Sequence, residues 1–469
     1  MKSFSELPGP KGLPLLGNLL QLDLNQLHRV LERWGDEFGP LYRFMLGSRP
    51  VLVSTDPEVN QAVLRNRPKT YRRVGAIESV FREMGITGVF SAEGDDWKRQ
   101  RRLTAQALDT QHLRQFFPTL TKVTQRLRNR WNAAAESGVP VDAQQDLMRY
   151  TVDVTTNLAF GYDMNTLEKE GEVIQEHLEK IFPMINRRIN AAFPYWHYFK
   201  LPADRELDKA LVAIRQTING FVSSGRARLK EHQELAARPT NLLEAMLAAK
   251  DESAAPFTDE EIYGNVLTML LAGEDTTANT MAWMLHFMVE HREAQERMQA
   301  EATGVIGASG MLDQIEDADR LNYIEAVTHE TMRLKPVAPI LFLETIVDVE
   351  IGEIIIPKET ALMSLTSYGC LQDTHFGAAN EFRPERWLEA NPAPACPHNA
   401  RAFVPFGAGP RFCPGRQLAL VEIKTVMAML CQSFDVVRGE SPGPVREVFS
   451  FTMMPENLRV CFRGRKPPR

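Results

Sequence analysis

The sequence predicts a mainly helical protein with a small β component, and three observations carry that expectation. Apolar residues recur at helical spacing through seven runs, at 96–108, 114–136, 142–160, 206–232, 242–250, 259–301 and 320–334. Strand-like alternation is confined to short stretches at 40–56, 345–356 and 445–462; the first, PLYRFMLGSRPVLVSTD, turns at Gly47-Ser48 as a hairpin would. No repeat and no Ser/Gly-rich linker divides the 469 residues. A single domain over 1–469 is therefore expected, although about 150 residues per domain would suggest three.

Bulk composition narrows the classes. Apolar residues make up 44% and charged residues 24%, enough for a sizeable core, and a net charge of -6 argues against nucleic acid as the main partner. The five cysteines (Cys370, Cys396, Cys413, Cys431, Cys461) are odd in number and show no CxxC spacing. That excludes a disulfide framework and favours a reducing compartment. Residues 1–20 form a proline-rich entry segment without the charged and apolar regions of a secretory signal. No run reaches the roughly 18 apolar residues of a membrane helix; the nearest, 266–289, is interrupted by Glu274 and Asp275. A soluble, cytoplasmic monomer is the expectation.

Two stretches are anomalous. Thr258-Asp259-Glu260-Glu261 is a capping box opening a run of more than thirty residues, a helix of about 45–50 Å that would cross an entire domain. Its apolar character on most faces buries its middle, yet that middle reads AGEDTT (272–277), and buried carboxylates are costly unless paired or used. The second stretch is FGAGPRFCPGRQLAL (406–420). Pro414 suits a first helical position and an apolar helical run follows, so Cys413 lies at a helix N-terminus, which favours a negative sulfur and a lowered thiol pKa. Gly407, Gly409 and Gly415 let the backbone bend and approach something flat, and Arg411 offers a positive fork.

Several uses of such a sulfur compete. Zinc needs about four ligands, and only the isolated Cys396 and His398 are on offer nearby. A nucleophile needs a dedicated histidine, which the sequence does not place. A phosphate loop needs GK[ST], which is missing. An axial thiolate for haem iron requires one cysteine and a close backbone.

FxxGxRxCxG, filled by Phe406, Gly407, Gly409, Arg411, Cys413 and Gly415, resembles the haem-binding loop of the cytochrome P-450 superfamily. AGEDTT is similar to the oxygen-activating stretch of that family's long central helix, ETMR (330–333) to its ExxR motif, and FRPERW (382–387) to the segment that completes the ExxR cluster. WKRQR (97–101) resembles its WxxxR, and LPGPKGLPLLGN its proline-rich entrance. The resemblance runs from about residue 8 to 463 in the family's order. It implies a triangular helical prism with haem b between the central helix and the cysteine loop.

The resemblance also implies roles. Cys413 would bind the iron, with Phe406, Gly407 and Gly415 shaping its loop; Trp97, Arg101 and Arg411 would bind the propionates. Asp275 and Thr276 would be the acid–alcohol pair that passes protons to dioxygen; the plainer reading is a helix kink in which Thr276 bonds the backbone at i-4, and the two can coexist, since opening the turn at Gly273 would make room for oxygen. Glu330, Arg333 and Arg386 would form a buried ion-pair network with a structural role. The reaction implied is insertion of one oxygen atom into a lipophilic small molecule, by C–H hydroxylation or epoxidation. Electrons would come from NAD(P)H through a separate ferredoxin or flavodoxin-type donor and its reductase, which Lys98, Arg99, Arg101 and Arg102 could dock. No fused reductase is expected. A peroxide-driven or rearranging haem-thiolate enzyme and a non-catalytic haem sensor are the alternatives, and the Asp275-Thr276 pair speaks against both. Phe81, Ile86, Phe182, Ile185, Ala272, Val337, Ile340 and Met453 are candidate pocket walls, and Arg72, Arg73, Arg187 and Arg188 candidate partners for a substrate carboxylate.

Two departures from the family pattern stand out. Where members carry a basic propionate ligand after KPVAP, this chain has Leu343 and Glu344, so another residue must serve or one propionate is held less tightly. Pro414 has no N–H to offer the sulfur, which leaves the thiolate more electron-rich.

Overall fold

A computed structural model describes residues 2–169, 174–191, 193–248, 257–306, 309–388, 399 and 401–465. Helices hold 58% of the residues and strands 13%, which places the chain in the mainly helical class. Cys396 and His398 lie outside the described residues.

Six of the seven periodic runs become the helices Gly94–Ala107, Thr110–Ser137, Ala143–Phe160, Pro202–Glu231, Leu242–Ala248 and Asn322–Leu334. Local chemistry sets their ends. Asp109 and Asp142 accept the N–H groups of His112 and Gln145, and Gly138 and Gly161 close the same two helices at φ +67° and +65°. The seventh run divides. A 32-residue central helix, Asp259–Glu290, starts on the expected Thr258–Glu261 capping box and spans about 48 Å. His291, at φ -124° and ψ 81°, then breaks the direction, and Arg292–Val305 follows as a separate helix. The Gln295 side chain takes up the Met288 carbonyl that the break leaves open (3.0 Å). The helices Leu27–Phe38, Gly75–Glu83 and Ile181–Ile189 were not among the expected runs.

The expected hairpin forms as β1 (Leu41–Leu46) and β2 (Arg49–Ser54). With β3 (Tyr71–Arg73), β4 (Ile340–Thr345) and β5 (Ala361–Leu365) it builds a five-stranded sheet in the order β1-β2-β5-β4-β3. Within this sheet only the β2–β5 pair is parallel. In the antiparallel β3–β4 pair, Arg73 stands opposite Leu343. Residues 446–456 form a hairpin, Arg446–Ser450 against Thr452–Glu456.

The largest apolar core joins the central helix to Ala143–Phe160, which packs along it, and to the helix Arg416–Ser433. A second core sets the other end of the central helix, at Trp283, against Leu27–Phe38, the sheet and the hairpin. Among the described residues no helix is long and apolar enough to cross a membrane.

Candidate haem site

The central helix is enclosed except on one face. Between Ile262 and Leu285 only Ala272, Gly273 and Thr276 are not buried. Their i, i+1, i+4 spacing puts them on a single face of small side chains, with Ala272 exposed and Gly273 and Thr276 half-buried. The helix is unbroken there, which corrects the expectation of an open turn at Gly273. That glycine instead admits the neighbouring helix: a Cβ on it would stand 2.3 Å from Thr155 Oγ1. Thr276 Oγ1 donates to the Ala272 carbonyl at 3.0 Å, the i-4 bond, within the uninterrupted helix.

Asp275 looks another way. It is 5% exposed, accepts from Thr452 Oγ1 of the C-terminal hairpin, and makes no hydrogen bond to Thr276. Burial pushes its carboxyl up to about 6, partly offset by hydrogen bonds from Thr452 and Asn279. A cavity of about 320 Å³ adjoins it, lined also by Glu274, Glu179, Gln144 and Phe182. Glu274 is 2% exposed, its Oε1 has no partner, and burial and then Asp275 push it well up.

The cysteine loop folds tightly on itself. Cys413 N–H donates to the Phe406 carbonyl at 2.9 Å. Gly407 and Gly409 have φ of +73° and +68°, the left-handed region. A Cβ at Gly409 would also lie 2.6 Å from the Leu64 carbonyl. Gly415 differs: its φ is -82°, and a Cβ there would make ordinary contact with Cys413 Sγ at 3.8 Å. The helix begins at Arg416 with Gly415 as its cap, so Pro414 sits in the preceding turn and not at the first helical position. The N–H groups of Gly415 and Arg416 reach the sulfur, as does the field of Arg101. Burial outweighs them and the thiol is pushed up, contrary to the lowered value expected from the helix terminus alone. Coordination by a metal ion reverses that balance and deprotonates a thiol outright.

Beside the loop lies an arginine cluster. Arg411 stacks over Trp97 (4.3 Å to the ring), donates to the Ala92 carbonyl at 2.7 Å and pairs with Glu93. Arg67 and Arg411 side chains are each 7% exposed, and Arg67 approaches Glu93 at 3.6 Å. Arg73 donates its backbone N–H to Glu93 at 3.2 Å, while its guanidinium stacks on Phe90 (3.6 Å) and makes no hydrogen bond. Burial, then the charges of Arg67 and Arg411, push Arg73 well below the usual guanidinium range. Arg101 turns aside to the Phe412 carbonyl at 2.5 Å.

Behind the loop Glu330, Arg333 and Arg386 meet as expected. Glu330 and Arg333 are fully buried and joined by two hydrogen bonds of 2.9 and 2.8 Å; Arg386 Nε reaches Glu330 at 3.0 Å. Arg333 also holds the carbonyls of Cys370 and Ala379, both at 2.6 Å, and Trp387 Nε1 donates to Glu330 at 2.9 Å. Burial pushes Glu330 up, but Arg333, then the Arg383 N–H and Arg386, more than offset it, leaving the carboxyl low.

The remaining candidates divide. Phe81 and Phe182 join through Phe451, with ring centroids 5.7 and 5.3 Å away, and Phe90 closes the group at 5.6 Å from Phe81. Phe90 and Phe451 were not singled out by sequence. Ile86 and Ile185 are closed into the main core at 1% and 0% exposure. Ile340 and Met453 lie in the second core, where Met453 N–H bonds the Val337 carbonyl (2.9 Å). Arg72 is taken by Glu78 and Glu344, and Arg188 by Asp204, so neither is free for a substrate carboxylate. Lys98 and Arg99 are paired with Asp95 and Glu261, which narrows the basic docking face.

These residues fit a flat, dianionic macrocycle with a metal at its centre: a sulfur without a protein cation bound to it, an uncovered small-residue face, and buried guanidiniums whose Nε–H groups have no acceptor. The fold and the site together define the haem-thiolate class. The cytochrome P450 family model matches residues 7–462, and the chain belongs to that family. Its cofactor is haem held through a cysteine thiolate, with dioxygen as co-substrate. The chain is 26% identical to the chloroplastic protein LUTEIN DEFICIENT 5 of Arabidopsis thaliana, covering 92% of this chain and 73% of that one. It is 27% identical to a self-sufficient cytochrome P450 monooxygenase of Penicillium freii, and 26% identical to a bifunctional cytochrome P450/NADPH–P450 reductase of Gibberella moniliformis. Those matches cover 98% and 93% of this chain but only 43% and 38% of those longer proteins.

Proposed function

We propose that the chain is a monooxygenase that places one atom of dioxygen into a lipophilic small molecule, with Cys413 as the iron ligand. The observation that carries this reading is the half-buried Cys413 sulfur, which receives only backbone N–H groups from Gly415 and Arg416 beneath the Arg101 charge. When bound, the haem supplies reductive activation of dioxygen, and the thiolate donates electron density to it.

The residues then have separate tasks. Ala272 leaves room beside the helix, and Thr276 offers a hydroxyl on the same face. Asp275 exchanges protons with water in the adjoining cavity, where Glu274 and the exposed Glu179 extend the polar lining toward solvent. The Phe81–Phe90–Phe451–Phe182 group supplies an apolar wall that favours a lipophilic substrate over a charged one. Electrons come from NAD(P)H through an electron-transfer protein of ferredoxin or flavodoxin type.

The test is a screen of terpenoids, fatty acids and steroids for shifts in ferric haem spin state, followed by turnover under labelled dioxygen. The expected result is a product carrying one labelled oxygen atom, formed only with NAD(P)H and donor proteins. Product formed from peroxide but never from dioxygen would overturn the reading.

A further inference from the structure

The cavity of about 320 Å³ beside the central helix carries an imbalance of charge that proton relay does not require. Four of its lining residues are acids, Asp142, Glu179, Glu274 and Asp275, and none is basic. Three of the four have partners. Arg459 approaches Asp142 at 3.6 Å, Thr452 donates to Asp275, and Gln175 donates to Glu179. Glu274 is the exception: it is 2% exposed and its Oε1 accepts from no group. A carboxyl oxygen buried without a donor is costly.

The cavity has a floor and an opening. Buried Glu274, Asp275, Ser450 and Thr452 make the floor, while Gln145, Glu179 and Pro183 are exposed and mark the opening. At about 100° per residue, Glu274 stands about 160° round the helix from both Ala272 and Thr276, whereas Asp275 is about 60° from Ala272. The cavity therefore lies behind the small-residue face, with Asp275 on the flank between the two. Its remaining walls are apolar, formed by Met148, Leu178, Phe182 and Met454. Among the described residues no three acidic, histidine or cysteine side chains are grouped closely enough to hold a metal ion. Separated acids between apolar walls suit an organic cation instead, with Phe182 offering a ring face to the charge.

We propose that this cavity binds a small organic cation, a protonated amine, amidine or guanidine on an apolar body, with its nitrogen against Glu274 and within the field of Asp275 and Glu179. A protonated nitrogen brings both things the floor lacks, positive charge and an N–H donor for Glu274 Oε1. The site is built without Cys413 or haem, so it stands whether or not the oxygenase reading does. Burial first, then neighbouring carboxylates, raise Glu274 well above the ordinary range and Glu179 to about 7, and burial raises Asp275 to about 6. The other charges close to these acids are Glu176, which repels Glu179, and Arg149, which attracts it; the C-terminal hairpin lines the cavity with uncharged residues alone. A bound cation favours the ionised carboxylates, so binding should release protons at about pH 6 and tighten as pH rises through about 7.

The test is calorimetry of the holoprotein with benzamidinium, and with benzamide as its neutral isostere, for wild type, Glu274→Gln, Glu179→Gln and Glu206→Gln. Benzamidinium keeps its charge throughout this pH range and offers iron no free nitrogen. Wild type should bind it saturably, and benzamide about tenfold or more weaker. Glu274→Gln should weaken benzamidinium about tenfold or more, and Glu179→Gln, at the exposed opening where folding is not at stake, about threefold. Glu206, exposed and paired with Lys209 outside the cavity, is the control, and Glu206→Gln should stay within about twofold. Runs at about pH 6 in two buffers of different ionisation enthalpy read the proton release. Absence of saturable binding, equal affinity for benzamide, wild-type affinity in both cavity variants, no proton release, or a nitrogen-ligated haem spectrum on binding would each overturn the proposal.

Discussion

At residue scale the decisive contrast lies between two neighbours on one helix. Thr276 shares the uncovered face with Ala272, whereas Asp275 is turned into protein and tied to Thr452. The motif predicted the pair; the structure separates their surroundings. Asp275 titrates near 6, well above an ordinary aspartate, because burial outweighs its two hydrogen bonds. A group that gives protons works in its protonated form, so turnover should fall as pH rises through about 6. Asp275→Asn should remove that inflection and slow turnover by about 10²–10⁴. The sign for stability is opposite. A carboxyl whose folded pKa is raised costs stability once it is ionised, so Asp275→Asn should stabilise the protein above pH 6 by the order of 1–3 kcal/mol. A pH–rate profile and thermal melts on the same variant check both. An unchanged inflection would remove Asp275 from the relay.

At the scale of elements, the network behind the cysteine loop ties the helix Asn322–Leu334 to the segment 377–387. Arg333 and Arg386 satisfy the carbonyls of Gly377, Ala378, Ala379 and Glu381 there, and Arg333 also that of Cys370, as well as Glu330. Truncating one partner leaves a buried charge alone, at a cost of about 3–5 kcal/mol. Glu330→Ala, Arg333→Ala and Arg386→Ala should therefore yield protein with little haem, read as the ratio of haem absorbance to protein absorbance, while Asn322→Ala, at an exposed position on the same helix, should load normally. Glu330 is held low, so its stabilising effect is complete above the unfolded value of about 4.3 and is lost as pH falls toward the folded one. The elements also show what periodicity can and cannot reveal. The Thr258–Glu261 capping box made one helix start legible, whereas the Asp109 cap was missed and the helix expected from 114 begins at Thr110. The break at His291 was not legible, because it carries no glycine or proline and the apolar spacing continues across it; a side chain four residues on, Gln295, stabilises the bend.

For the whole molecule, the legible part of the site was local and the rest was not. Cys413, Gly407, Gly409 and the Glu330–Arg333 spacing can be read in a line of sequence, since each depends on neighbours a few residues away. Arg67, Arg73 and Phe451 reach their neighbours only after distant strands and loops have met. Arg73 stands opposite Leu343 across the sheet, and Phe451 bridges Phe81 and Phe182. Burial is likewise a property of the fold, which is why a helix terminus alone misjudged the Cys413 thiol. The same fold-level view separates the candidate walls, leaving the aromatic group near Phe451 and placing Ile340 and Met453 in another core.

The most direct measurement is the haem–sulfur charge-transfer spectrum of the ferric protein, recorded for wild type and for Cys413→Ser after haem loading. The wild type should show thiolate ligation and Cys413→Ser should lose it, with or without retention of haem. Persistence of the sulfur signal in Cys413→Ser, or haem binding to the wild type without that signal, would contradict the assignment on which the function rests.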